Sequence, residues 1–122
     1  MKKILVIDDE SPIRKLLQDV LMSWGYEIVL AGNGKEGVRL YRDSPADLVI
    51  TDLLMPEQDG VETIVQLCDR FPDVKIIAMS GGGQIGPDSY LPIAETLGAK
   101  GTLQKPIDLK MLREMVTHVL SN

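Results

Sequence analysis

Apolar positions along the chain follow two alternating rhythms. Short aliphatic runs occupy Lys3–Asp8, Glu27–Leu30, Asp47–Asp52, Val74–Ser80 and a brief Gly101–Gln104. Runs of this length, rich in Val, Ile and Leu, predict strands buried on both faces. Between them lie stretches with a period of about 3.6 residues, the signature of amphipathic helices. The clearest carries Ile13, Leu16, Leu17, Val20, Leu21 and Trp24, spaced i, i+3, i+4, i+7, i+8, i+11. Ser11 is placed to cap that helix, Pro12 suits its first turn and Gly25 suits its end. A shorter helix centres on Lys35–Tyr41. Asp59 is a candidate cap for a third, which continues through Val61, Ile64, Val65 and Leu67. Leu109, Leu112, Val116, Val119 and Leu120 mark the last.

Strands that alternate with helices predict an α/β fold, a doubly wound parallel sheet with helices on both faces. No repeat, low-complexity tract or linker interrupts the pattern, so the expected organisation is one domain over residues 1–122.

Composition narrows the function. Hydrophobic residues make up 44% and charged residues 25%, a globular balance. A net charge of −5 argues against a surface built for nucleic-acid phosphates or anionic lipid. The opening MKKILVIDDE has too short an apolar run for a signal-peptide core or a membrane span. Cys68 is the single cysteine, which rules out an internal disulfide and reads as a small core hydrophobe. The expected compartment is a reducing cytoplasm.

The chemistry-bearing residues sit where strands end. Asp8 and Asp9 close the first strand, Asp52 the third and Ser80 the fourth, while Lys105 follows the fifth. In doubly wound sheets ligands bind beyond the carboxyl ends of the strands, so one edge gathers three carboxylates, a hydroxyl and an ammonium. Adjacent carboxylates repel one another unless positive charge is near. One lysine does not balance three acids, and an all-oxygen, carboxylate-rich set suits Mg²⁺. A small dianion such as a phosphoryl group can then be clamped between the metal, Lys105 and Ser80. Asp52 is the natural in-line nucleophile, because an aspartate carboxylate can form an acyl phosphate. Glu10 falls at the helix boundary and reads as a first-turn charge rather than a ligand. His118, the only histidine, reads as a solvated residue of the last helix.

These pieces together resemble the receiver domain of two-component response regulators. The resemblance rests on VIDDE at the first strand, VITDLLMPEQDG around Asp52, IIAMSG at the fourth strand and LQKPID near the end. Their order and spacing agree over essentially the whole chain: 43 positions from Asp9 to Asp52, 28 on to Ser80 and 25 more to Lys105.

The resemblance implies a flavodoxin-like (βα)5 sheet of order 2-1-3-4-5. It implies that Asp52 accepts a phosphoryl group from a sensor histidine kinase or histidine phosphotransfer protein. Asp9, Asp52 and the backbone carbonyl of Leu54 would bind Mg²⁺, with Asp8 assisting through water. Lys105 would contact the phosphoryl oxygens, Ser80 would hydrogen-bond to one of them, and Pro106 would follow a cis peptide. Slow hydrolysis of the domain's own phosphoaspartate would be its only other reaction. The domain would act either alone on a downstream effector protein or through a separate output domain.

Two features depart from the family's pattern. Thr102 stands where an aromatic residue commonly couples with the hydroxyl at the fourth strand. The segment SGGGQIGPDSYLP is long and glycine-rich, with Ser89 a candidate cap and Pro92 fitting a helix only in its first turn. The expectation is that this loop and the helix after it carry the conformational change instead.

Other classes fit less well. A flavin-binding flavodoxin needs a hydroxyl- and amide-rich phosphate loop after the first strand, whereas Asp8, Asp9 and Glu10 repel phosphate without metal. A phosphatase of the aspartyl-phosphate type carries Asp-x-Asp after its first strand, not adjacent acids. A receiver-like interaction module without chemistry has no need of all five site positions.

Overall fold

The alternation of the sequence becomes a parallel sheet sandwiched between helices. The computed structural model describes residues 1–53, 60–80 and 91–121. Its strands are β1 (Lys3–Ile7), β2 (Glu27–Ala31), β3 (Leu48–Asp52), β4 (Ile76–Ser80) and β5 (Gly101–Gln104). Its helices are α1 (Ser11–Ser23), α2 (Gly34–Asp43), α3 (Gly60–Arg70), α4 (Leu91–Leu97) and α5 (Leu109–Ser121). All neighbouring strands pair in parallel, in the order β2-β1-β3-β4-β5. The chain therefore reverses its direction of travel across the sheet between β1 and β3, the switch point at which such folds bind ligands.

Alternate strand residues feed two cores. Leu5, Ile7, Val49, Ile76 and Ala78 face one way, against Val38 and Tyr41 of α2 and Ile64 and Leu67 of α3. Ile4, Val6, Leu48, Ile50, Ile77 and Met79 face the other, against Leu17 and Leu21 of α1 and Leu112, Val116 and Val119 of α5. Both faces being covered explains why the strands read as continuous apolar runs. Tyr41 packs on Phe71 with ring centroids 4.9 Å apart. Trp24 sits at the core edge under the Arg113 guanidinium, 5.3 Å from the ring centroid.

The ends of the elements differ from expectation in ways the chemistry explains. Ser11 does not cap α1. Glu10 occupies the N-cap position without a side-chain cap bond, and the turn is closed from behind by Asp8 Oδ1, which accepts the Glu10 N–H at 2.9 Å. Pro12 lies in the first turn and Gly25 ends the helix at φ 95°, both as read from sequence. Leu16 of the predicted apolar stripe is 40% exposed, because Leu17 and Leu21 already fill the seam against the sheet. Asn33 caps α2 by accepting the Glu36 N–H, while Glu36 Oε1 reaches back to the Gly32 N–H. Asp108 Oδ1 accepts the N–H groups of Lys110 and Met111 and so caps α5. Pro92 is the second residue of α4, within its first turn. The Asp59 and Ser89 caps, the carbonyl of Leu54 and the glycine-rich segment 81–90 lie outside the described residues.

Candidate functional site

β1 delivers Asp8 and Asp9 to the carboxyl edge of the sheet, and β3 beside it delivers Asp52. Ile7 lies opposite Thr51 in that ladder, so the residues that come next, Asp8 and Asp52, end up adjacent. Asp8 is fully buried, Asp52 nearly so, and Asp9 is exposed. Oxygen atoms of Asp8, Asp9, Glu10 and Asp52 all lie within 4.8 Å of one another. Among the described residues this is a compact all-oxygen donor set with no sulfur or imidazole, and its chemistry fits Mg²⁺.

Lys105 supplies the positive charge. Its Nζ lies 2.9 Å from Asp8 Oδ2, 3.1 Å from Glu10 Oε1 and 3.4 Å from Asp52 Oδ2. Burial on its own would lower the lysine's pKa, but the Asp8, Asp52 and Glu10 carboxylates overcome it and hold the ammonium well above its ordinary value. For Asp8 the balance runs the other way. Burial raises its carboxyl pKa, and the Glu10 N–H and Lys105 only partly offset that. Among the described residues, four carboxylates gather around one ammonium, with the Arg14 guanidinium held on the Asp8 carbonyl, which leaves the site short of positive charge.

The fifth strand brings in the lysine and the fourth the hydroxyl. Ser80 is fully buried at the end of β4, opposite Gln104, and its carbonyl accepts the Lys105 N–H at 2.8 Å. The Lys105–Pro106 peptide is cis. Thr102 sits half-buried in β5 opposite Ala78. Next to it, Met115 of α5 covers Gly101 so closely that a Cβ there would stand 2.6 Å from its sulfur. On the far side of Asp52, the Gly60 N–H donates to the Leu53 carbonyl at 2.9 Å. A Cβ on Gly60 would fall 1.9 Å from the Asp52 carbonyl oxygen, so only glycine lets α3 start this close to the site.

Two residues at the site escape the sequence pattern. Glu10 is not a bystander: it is one of the clustered acids and one of the three partners of Lys105. Arg14, on a helix position that reads as solvent-facing, donates from Nη1 to the Asp8 carbonyl at 2.6 Å and ties α1 to the end of β1. The only signal for Glu10 was its adjacency to two acids already assigned; Arg14 offered none. Elsewhere, Cys68 is half-buried against the core with its thiol pushed up by burial. His118 is exposed and lines a cleft with Lys75 and Lys100 at the opposite end of the sheet.

The model of the response regulator receiver domain matches residues 4–117. The chemotaxis protein CheY of Thermotoga maritima is 33% identical over 119 residues, 97% of each chain. The DNA-binding transcriptional regulator NtrC of Azospirillum brasilense is 36% identical over 119 residues, which cover 98% of this chain and 24% of that protein. Among solved structures, the response regulator protein TrrA from Thermotoga maritima, in complex with Mg²⁺ and BeF, superposes with a TM-score of 0.86. It is 34% identical, over 98% of this chain and 99% of that one.

Proposed function

The chain belongs to the response regulator receiver family of two-component systems, and from that premise we propose that Asp52 is its phosphoacceptor in a Mg²⁺-dependent reaction. The observation that carries the reading is the meeting of Asp52, Asp8 and Lys105 at the end of the sheet, with Asp9 and Glu10 beside them. Receiver domains are signalling phosphoacceptors rather than enzymes acting on external substrates. Residues 1–122 make one such unit, and a sensor histidine kinase or histidine phosphotransfer protein is its donor. The output is a downstream effector protein or a separate output domain. No helix among the described residues is long and apolar enough to cross a membrane.

Asp9, Asp52 and the Leu54 carbonyl would hold Mg²⁺, with Asp8 assisting through water. When bound, the metal neutralises the acids and the phosphoryl oxygens at once. An Asp52 carboxylate oxygen attacks phosphorus. A P–O bond forms to Asp52, and the bond from phosphorus to the donor's imidazole nitrogen breaks. Lys105 contacts the phosphoryl oxygens, and the Ser80 hydroxyl donates to one of them. Burial of Asp8 and Asp52 excludes bulk water, which strengthens each of these electrostatic contacts.

Borohydride reduction after treatment with a small acyl-phosphate donor tests the assignment. An acyl phosphate is reduced to the alcohol, so peptide mapping should place homoserine at position 52. Homoserine at another aspartate would reject Asp52.

A further inference from the structure

Lys105 faces three carboxylates: its ammonium hydrogen-bonds to Asp8 and Glu10 and lies 3.4 Å from Asp52 Oδ2 as an ion pair. Their surroundings differ. The side chain of Asp8 is 0% exposed, that of Asp52 is 4% and that of Glu10 is 58%. Withdrawing the ammonium from Asp8 or Asp52 would leave a buried charge uncompensated, a large loss in a poorly solvated site. Withdrawing it from Glu10 leaves a carboxylate that water rehydrates, and exposed ion pairs contribute little. Glu10 is therefore the partner that yields.

Its backbone is fixed on both sides. The Glu10 N–H donates to Asp8 Oδ1 at 2.9 Å, and its carbonyl accepts the N–H groups of Ile13 and Arg14 at 3.1 Å each. Vacating the lysine needs side-chain rotation alone.

We propose that Glu10 is a positioning residue that serves as a built-in anion on Lys105. Its carboxylate occupies the outward N–H of the ammonium in the resting domain and is exchanged for a phosphoryl oxygen when Asp52 is loaded. The identity of the incoming anion rests on the phosphoacceptor reading; the Lys105–Glu10 contact does not. Such an internal competitor keeps Lys105 aligned beside Asp52 and raises the anion concentration needed to fill the site.

The test uses Glu10→Gln, which removes the charge, and Glu10→Asp, which keeps it but shortens the arm by a methylene. Beryllofluoride, a phosphoryl stand-in, is titrated at fixed Mg²⁺ and followed by amide resonances, with Asp52→Asn as the control. Both variants should half-saturate at about threefold less beryllofluoride, the scale of one exposed ion pair. Trace acetylation of the free protein, referenced to Lys100, should label Lys105 about twofold faster or more in both. If Glu10→Asp behaves as the native chain while Glu10→Gln differs, charge at a distance is responsible and the exchange is rejected. If both variants weaken Mg²⁺ binding by about tenfold, Glu10 is a metal ligand and the proposal is overturned. Native binding with unchanged variants removes the role of Glu10 only. Failure of beryllofluoride to bind the native chain removes the phosphoacceptor reading and with it the exchange, and Lys105 labelling then still reports the contact.

Discussion

Lys105 and Asp8, 97 positions apart in the chain, meet as a salt bridge of 2.9 Å in which the aspartate is fully buried. The lysine is 12% exposed and also serves Asp52, so it is the positive charge that makes two buried acids tolerable in the absence of metal. Lys105→Met leaves those acids facing each other. It should lower the unfolding free energy in urea by about 3 kcal/mol when divalent cations are chelated, the scale for breaking a buried pair from one side. The deficit should shrink in saturating Mg²⁺, because the cation replaces the missing charge. Equal stability of variant and native chain under chelation would contradict this account of the site.

Mg²⁺ should stabilise the native fold through the same acids. At about ten times its dissociation constant the gain is about 1.4 kcal/mol, by mass action on the folded state. Asp9 is exposed, so Asp9→Asn should leave the metal-free stability within about 0.5 kcal/mol of native and remove most of the Mg²⁺ increment. Urea midpoints with and without the ion measure both numbers. A full Mg²⁺ increment in Asp9→Asn would take Asp9 out of the metal set.

Gly60 tests whether the helix start beside Asp52 is as tight as its geometry. A Cβ would lie 1.9 Å from the Asp52 carbonyl oxygen and 2.5 Å from the Leu53 Cα, both main-chain atoms that cannot rotate away. Gly60→Ala should cost about 1–3 kcal/mol of stability through overpacking and should also slow phosphoryl acceptance by displacing Asp52. Chemical denaturation and the phosphorylation rate check the two effects. A variant native in both would mean that α3 can start further from the site.

Much of this architecture was legible in the sequence because burial leaves a period. The strands on both sides of the switch point read correctly since their alternate residues feed two cores, as Leu5 and Ile7 do on one face and Ile4 and Val6 on the other. The carboxylates and Lys105 were legible because strand ends carry them to one edge. Glu10 stands at the start of α1 as read, but its pairing with Lys105 was not legible, because that partner is 95 positions away and a helix-start charge looks the same with or without it. The cap of α1 was misread for a related reason. The turn is closed by the Asp8 side chain from two residues upstream of Glu10, leaving Ser11 without that task. Leu16 follows the helical period yet is solvent-facing, because the seam against the sheet is narrower than the apolar stripe.

Asp108 separates stability from chemistry at the lysine loop. Its carboxylate caps α5 three residues after Lys105 but is absent from the acid cluster. Asp108→Ala should lose about 1 kcal/mol, as for a missing N-cap, and leave phosphoryl acceptance by Asp52 unchanged. Thermal or urea unfolding reads the first and the extent of phosphorylation the second. A variant of native stability that fails to phosphorylate would assign Asp108 to the site instead.

The central claim is that Asp52 takes a phosphoryl group with the help of a divalent cation. Incubation with acetyl phosphate and Mg²⁺, followed by intact mass, tests it most directly. The native chain should gain the mass of one phosphoryl group, Asp52→Asn none, and chelation of the metal should abolish the gain. A native chain that stays unmodified in Mg²⁺, or an Asp52→Asn chain that gains the group equally, would contradict it.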